Sequence, residues 1–133
     1  MNSIKVIFVG NSKSGKTTIV EALNQTINNQ WLPIDVNLIP ISTTTLGVDV
    51  AIFNSQTGLN YKIWDCAGDI RYGGLREGYY IGATIACIFG GGIDGKSNQQ
   101  WVQQIRNTIP NATIYNINGT IDQKYHQLLN IFI

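Results

Sequence analysis

Short runs of β-branched and aromatic residues recur along the chain, and each has the length of a buried strand. The predicted strands cover residues 4–9, 48–53, 59–64, 83–89 and 112–117. Residues 54–58, between the second and third runs, are rich in turn formers and predict a hairpin.

Apolar residues at helical spacing lie between and after these strands. Val20, Leu23 and Ile27 predict an amphipathic helix after the first strand, and residues 99–108 predict a second helix. A third predicted helix carries its apolar residues on one face, namely Tyr125, Leu128, Leu129 and Phe132. Because strands alternate with helices, the sequence predicts an α/β fold with a mostly parallel sheet and one antiparallel hairpin.

Length and composition narrow the functional classes. A chain of 133 residues fits one domain built on one core. The formal charge is +1 and 13% of residues are charged, so we expect neither nucleic acid nor an anionic membrane as a partner. Abundant asparagine and isoleucine indicate an AT-rich genome, such as that of a protist or a large DNA virus.

Cysteine usage and the lack of targeting signals indicate a compartment. Cys66 and Cys87 have neither the number of a disulfide framework nor metal-ligand spacing, which is typical of a reducing environment. No secretory signal, membrane span or prenylation motif is visible in the sequence. We therefore expect a soluble, unanchored protein of the cytoplasm or nucleus.

The segment GNSKSGKT, residues 10–17, satisfies the pattern G-x-x-x-x-G-K-[ST] between a predicted strand and a predicted helix. In such a loop the backbone amides and the helix N-terminus form a cradle for phosphate. Lys16 would neutralise the β and γ phosphates, and the Thr17 hydroxyl would hold Mg²⁺. The predicted nucleotide-binding residues of the loop are Ser12, Lys13, Ser14, Gly15, Lys16, Thr17 and Thr18. An ordinary Gly/Ser turn is the alternative interpretation.

Two carboxylates flank a short linker after the third predicted strand, in the segment DCAGDI of residues 65–70. Asp65 ends an apolar strand as a Walker-B acid does, where it would orient a water or the metal beside Thr17. Gly68 is small enough for its amide to approach a γ-phosphate. The second acid is Asp69.

Three segments, residues 10–18, 45–50 and 64–81, together resemble the Ras superfamily of small GTPases. Within it, GGLREGYY (residues 73–80) and TLGV (residues 45–48) most resemble the Ran branch, the GTPases of nucleocytoplasmic transport. The resemblance covers roughly residues 4–89. It implies a P-loop NTPase fold of the Ras-like, three-layer kind.

The resemblance also implies ligands, roles and partners. GTP would be the substrate, GDP the product and Mg²⁺ the cofactor, with Lys16 in a catalytic role. Thr45 would be the switch I threonine that reaches the metal and the γ-phosphate, and residues 68–80 would be switch II. Importin-type receptors or an exchange factor would be the protein partners.

The first departure from the family lies at Asp69, where the family has a glutamine that orients the attacking water. Aspartate is shorter, lacks the amide donor and brings negative charge toward an anionic phosphate. We expect slow hydrolysis with Asp69 as a poor catalytic residue, or alternatively Asp69 as a solvated loop acid. Ser12 stands where Ran has glycine, although other branches tolerate serine.

The second departure concerns base recognition. The family reads guanine with Asn-Lys-x-Asp after the fifth strand, and here the corresponding segment is YNINGTID, residues 115–122. Asp122 aligns with the acid of the motif, but Gly119 and Thr120 replace its asparagine and lysine. Asn116 and Asn118 are either substitute contacts to the base or turn formers. The sequence therefore predicts weakened guanine selection.

The third departure is in length, because the family's last strand and helix have no counterpart here. We expect one truncated small-GTPase domain over residues 1–133, with residues 112–117 as an unpaired edge strand. That edge is either protected by its polar residues or used to form a homodimer. His126 is expected to face solvent, and Trp31 to lie over the base or to anchor its own loop.

Three functions are consistent with these features. One is a Mg²⁺-dependent, Ran-like nucleotide switch with slow GTP hydrolysis. Another is a Ran-like binding module that engages transport factors through residues 72–80 while turnover matters little. The last is a nucleoside triphosphatase with relaxed base specificity.

Overall fold

The computed structural model describes residues 3–39, 48–55, 58–66, 76–92 and 95–132. These residues form five strands, β1 Ser3–Gly10, β2 Val48–Asn54, β3 Asn60–Cys66, β4 Ile85–Phe89 and β5 Thr113–Ile117. They also form three α-helices, α1 Lys16–Asn28, α2 Asn98–Thr108 and α3 Ile121–Phe132. Val36–Leu38 and Arg76–Tyr80 are short 3-10 helices.

The strands form one sheet in the order β2-β3-β1-β4-β5. Central β1 pairs in parallel with β3 and β4, and β4 pairs in parallel with β5. β2 is antiparallel to β3, with Val48 opposite Cys66 and Asn54 opposite Asn60. The predicted α/β fold, with a mostly parallel sheet and one antiparallel hairpin, is confirmed.

Side chains of the central strand point alternately to the two faces of the sheet, so each face carries its own core. The first core joins the sheet to α1 and α3, and its buried members include Phe8, Ile19, Leu23, Phe53, Tyr125, Leu128 and Phe132. The second joins the sheet to α2, and its buried members include Ile7, Val9, Ile88, Trp101 and Ile105. The described elements therefore stack in three layers, helix on sheet on helix.

The buried face of α1 is rotated from the predicted one. Val20 and Ile27 are only partly buried at the margin of the core. Instead, Ala22 and Thr26 are fully buried. The rotation arises because α1 is covered by α3 as well as by the sheet, and α3 contributes a hydroxyl partner for Thr26.

The predicted apolar face of the third helix packs on the sheet as expected. Leu128 and Phe132 are buried against the first core, and Leu129 packs at its margin. Thr120 caps the start of α3, because its hydroxyl accepts from the Gln123 amide at 3.2 Å and its own amide donates to Gln123 Oε1 at 2.8 Å. This reciprocal cap begins α3 directly after β5.

None of the described helices combines the length and the apolar character that crossing a bilayer requires.

Candidate functional site: the phosphate loop

The loop between β1 and α1 has the backbone that its glycines permit. Gly10 has a φ of 149°, and a Cβ atom there would lie 2.6 Å from the Phe89 carbonyl oxygen of β4. Gly15 has a φ of 100° and immediately precedes the first residue of α1. The loop therefore turns tightly against β4 and leads directly into the N-terminus of a helix, where free amides and the helix dipole favour an anion.

The Lys16 side chain folds back over this loop and is 5% exposed. Its ammonium group donates to the carbonyl oxygens of Gly10 and Asn11, both at 2.9 Å, and to the Ser14 hydroxyl at 3.2 Å. Burial lowers the pKa of Lys16 to about 8, although the negative charge of Asp65 acts in the opposite direction. A cation is thus held at the centre of the loop.

Thr17 and Asp65 meet beside Lys16. The Thr17 hydroxyl donates a hydrogen bond to Asp65 Oδ2. Asp65 is 1% exposed and lies near the end of β3, where it pairs with Phe8 of β1. The structure therefore brings together Lys16, Thr17 and Asp65, which the sequence placed at one site from segments almost fifty residues apart.

The remaining loop residues differ in exposure. Ser14 and Thr18 are buried, whereas Lys13 is exposed and has a positive φ of 61°. Ser12 is buried, and its hydroxyl has no hydrogen-bond partner in the part of the chain that the structure describes. A hydroxyl without a partner at this point of the loop is available to a ligand oxygen.

Asn11 is a site residue that the sequence did not reveal. Its side-chain amide donates to the Lys96 carbonyl at 2.9 Å and accepts from the Lys96 amide at 2.8 Å and from Trp101 Nε1 at 3.1 Å. Nearby, a Cβ atom on Gly92 would lie 2.5 Å from the Ser12 carbonyl oxygen. Asn11 therefore fastens the segment between β4 and α2 to the phosphate loop.

The residues aligned with base recognition lie on β5, in the connection after it and at the start of α3. Asp122 is exposed and its carboxylate is 3.6 Å from His126 Nε2, with both side chains more than half exposed. The backbone of Asn118 exchanges hydrogen bonds with the Gln127 side chain, at 3.1 and 2.7 Å. Asn116 is exposed on β5. The prediction that His126 faces solvent is confirmed, whereas contact of the other three residues with a base stays a prediction.

Trp31 anchors the segment after α1. Its ring packs edge-on against Phe53, with centroids 5.8 Å apart, and it contacts the first core. Of the two roles that the sequence left open for Trp31, the structure shows the hydrophobic anchor.

Lys124 is a second residue that the sequence did not reveal. It is 5% exposed, and its ammonium group donates to the carbonyl oxygens of Ser14 and Gly90. A side chain of α3 therefore reaches the phosphate loop.

A comparison with known protein families decides the classification. The family model described as "Ras of Complex, Roc, domain of DAPkinase" matches residues 5–122. The chain belongs to this family. The Ras-superfamily membership and the P-loop NTPase fold predicted from the sequence are confirmed.

The match to the Roc model runs from β1 to the first turn of α3, and so extends beyond the Ran-like residues 4–89. A Roc domain is a Ras-like GTP-binding domain, so this chain carries such a domain. Ras-like domains bind guanine nucleotide, usually together with Mg²⁺.

Three predicted site residues of this Roc domain, Thr45, Gly68 and Asp69, lie outside the described residues. Their assigned contacts, with the metal, the γ-phosphate and the attacking water, stay predictions. The same holds for both predicted switch segments, apart from residues 76–80.

Proposed function

We propose that this protein is a Mg²⁺-dependent GTP-binding switch that hydrolyses GTP slowly. The observation that carries the proposal is the joint placement of Lys16, Thr17 and Asp65 at the N-terminus of α1. A buried ammonium inside a loop of amides suits the β and γ phosphates of a nucleotide. Because the chain belongs to the Roc family of Ras-like domains, we infer that the base of the nucleotide is guanine.

The donor set beside Lys16 suits magnesium. Mg²⁺ prefers hard oxygen ligands and keeps several waters, and the Thr17 hydroxyl and Asp65 carboxylate are adjacent oxygen donors. Among the described residues, no three His, Cys, Asp or Glu side chains gather into a metal-binding group. Thr17 would therefore bind the ion directly, Asp65 would hold it or its water, and Thr45 would join them when GTP is bound.

Hydrolysis would proceed by in-line attack of water on the γ-phosphorus, which breaks its bond to the β–γ bridging oxygen and releases GDP and phosphate. The charge that develops on the phosphate oxygens would be stabilised by Lys16 and the loop amides, which the fold has already oriented. The ion would add positive charge when bound. Asp69 in place of glutamine leaves the attacking water poorly oriented, which makes the reaction slow.

Calorimetric titration of the folded protein with GTP, ATP and UTP, each with and without Mg²⁺, tests the proposal. We expect GTP to bind, more tightly with Mg²⁺ than without it. Because Gly119 and Thr120 replace the base-reading asparagine and lysine, we expect GTP to be preferred over ATP by less than about a hundredfold, or about 2.7 kcal/mol. Failure of GTP to bind would overturn the proposal.

The affinity for GTP should fall as the pH is raised, because of Lys16. Its pKa in the free protein is about 8, lowered by burial. Bound phosphate favours the charged ammonium, so the pKa rises on binding and protons are taken up with the nucleotide at alkaline pH. From about pH 7 to about pH 9, calorimetry should show about a tenfold loss of affinity.

The matched variant for this pH profile is Lys16→Arg. Its guanidinium stays protonated throughout, so the profile should flatten whatever the absolute affinity of the variant. A wild-type affinity that stays constant over the same range would show that Lys16 does not exchange a proton on binding.

Asp69→Gln should raise the rate of GTP hydrolysis by at least about tenfold, because the amide can orient the attacking water without adding negative charge. Single-turnover release of phosphate measures the rate, and Asp69→Asn, which removes the charge but is too short, is the control. An Asp69→Gln rate no higher than the wild-type rate would refute the placement of Asp69 beside the water.

A second candidate function is a Ran-like binding module that engages importin-type receptors or an exchange factor through residues 72–80. Asp69 favours it, because a mimic has little need of turnover. Tyr80 cannot belong to that surface, since it is 3% exposed and its hydroxyl accepts from Gln104 Nε2 at 3.0 Å. Retention of importin-type receptors by the triphosphate form and not by the diphosphate form is the result expected of such a module.

A further inference from the structure

Lys124 is a buried cation that none of the roles above uses. It is the fourth residue of α3, and its ammonium group donates to Ser14 O at 2.7 Å and to Gly90 O at 2.6 Å. One acceptor belongs to the phosphate loop and the other follows β4. Lys124 thereby connects three segments that are far apart in the chain.

The contact of α3 with the loop is reinforced by an apolar neighbour. Ile121, the first residue of α3, lies so close to Gly15 that a Cβ atom on Gly15 would be 2.5 Å from Ile121 Cδ1. The first turn of α3 therefore meets the loop at two successive residues, Ser14 through a hydrogen bond and Gly15 through van der Waals contact. These are the residues that lead into α1.

The bond to Ser14 O fixes the direction of the next amide. In a trans peptide the C=O and the following N–H point in opposite directions across the peptide plane, and the described residues contain no cis peptide bonds. With its carbonyl turned toward Lys124, the Ser14–Gly15 peptide directs the Gly15 N–H away from the Lys124 ammonium. Amides at the N-terminus of a helix are donors to a bound phosphate.

We propose that Lys124 is a positioning residue for nucleotide binding, which holds the Ser14–Gly15 peptide so that the Gly15 amide faces the phosphates. The proposal rests on the proposed function and deepens it. The support comes from α3, whose Lys124 ammonium donates to the backbone of the phosphate loop.

The cost of burying Lys124 argues for a role beyond stability. Burial lowers its pKa, so the folded protein pays a desolvation penalty for keeping the ammonium there. An apolar side chain of similar length would avoid that penalty, but it would leave the buried Ser14 and Gly90 carbonyls without this donor, so its net effect on folding is a balance of the two. Affinities must therefore be compared at a temperature where both proteins are folded.

Lys124→Met tests the proposal, with Lys62→Met as the matched control, since Lys62 is exposed on β3. GTP affinity is measured by calorimetry with Mg²⁺ present, and the thermal midpoint of the nucleotide-free protein is measured beside it. We expect Lys124→Met to lose at least about tenfold in affinity at a temperature where both proteins are fully folded, and Lys124→Arg to recover part of the loss. Lys62→Met should stay within about twofold of the wild type.

The backbone amide of Gly15 gives a direct readout of the peptide orientation by nuclear magnetic resonance. On addition of GTP, its proton resonance should move downfield in the wild type, as a hydrogen bond to phosphate requires, and much less in Lys124→Met. If Lys124→Met fails to fold, the wild-type spectrum still decides, because an unshifted Gly15 amide would overturn the proposal.

The possible failures are distinguishable. Wild-type protein that binds no triphosphate would overturn the proposed function, and this proposal with it. Wild-type protein that binds GTP while folded Lys124→Met binds equally well would overturn the positioning role alone. A loss of affinity in Lys124→Met that merely tracks a lower folded fraction, with the Gly15 shift unchanged, would also overturn it.

Discussion

Lys16→Ala should lower the affinity for GTP by at least about a hundredfold, or about 2.7 kcal/mol, without unfolding the protein. The Lys16 ammonium is the cation that the loop holds at its centre, bonded to the Gly10 and Asn11 carbonyls. On binding, its charge and hydrogen-bond donors would turn to the β and γ phosphates, and hydrogen bonds between charged groups are the strongest that a protein makes. Calorimetry with Mg²⁺ present measures the loss.

Folding should tolerate the same change. A buried ammonium whose pKa is lowered to about 8 is held at a cost, which Lys16→Ala removes. The same change leaves the Gly10 and Asn11 carbonyls without this donor, which acts in the opposite direction. Because the two effects oppose each other, the thermal midpoint should stay within a few degrees of the wild-type value. Lys62→Ala is the control, because it removes an exposed lysine and should change neither affinity nor midpoint. A Lys16→Ala affinity within tenfold of the wild type would show that the loop does not bind phosphate.

The fold was predictable because its signals are local. A short run of β-branched and aromatic residues predicts each strand, and the turn formers at residues 54–58 predict the hairpin. The phosphate loop is equally local, since its glycines, Lys16 and Thr17 lie within eight residues of sequence. Asp65 was found because it ends an apolar strand, and parallel strands bring their carboxyl ends to one edge of the sheet.

The parts that were not predictable depend on contacts between distant segments. Lys124 bonds a carbonyl 110 positions away, and Asn11 bonds the backbone of a residue 85 positions away. No sequence motif identifies the partner of either side chain, because the partners are backbone carbonyls and every residue has one. The buried face of α1 was misplaced for the same reason, since helical spacing alone does not reveal that α3 covers Thr26.

Tyr125→Ala should lower the free energy of unfolding by about 3–5 kcal/mol, the range found when a large buried aromatic side chain is truncated. Tyr125 of α3 is 0% exposed in the first core, and its hydroxyl meets that of Thr26 on α1. Since a domain of this size is stable by about 5–15 kcal/mol, the loss amounts to between about a fifth and all of its stability. Urea unfolding followed by circular dichroism measures the difference.

Tyr125→Phe removes the hydroxyl and keeps the ring, so it separates their contributions to the free energy of unfolding. The hydroxyl is 2.6 Å from Thr26 Oγ1 and accepts from the Ile34 amide at 3.0 Å, so its removal should cost about 1–3 kcal/mol by leaving a partly buried amide and the buried Thr26 hydroxyl without this partner. Tyr115→Ala is the control for the ring, because Tyr115 is 37% exposed on edge strand β5 and its loss should cost about 1 kcal/mol.

Comparing the losses of unfolding free energy in Tyr125→Ala, Tyr125→Phe and Tyr115→Ala tests whether α3 is part of the core of the nucleotide-binding domain. If α3 were a loosely attached segment, Tyr125→Ala would be no more destabilising than Tyr115→Ala. A large loss of unfolding free energy in Tyr125→Ala would instead show that α3 is part of the core on which α1 packs. Because the phosphate loop leads directly into α1, α3 would then also stabilise that loop. GTP should then raise the unfolding midpoint of Tyr125→Phe as it raises that of the wild type, since ligand binding to the folded state adds stability by mass action.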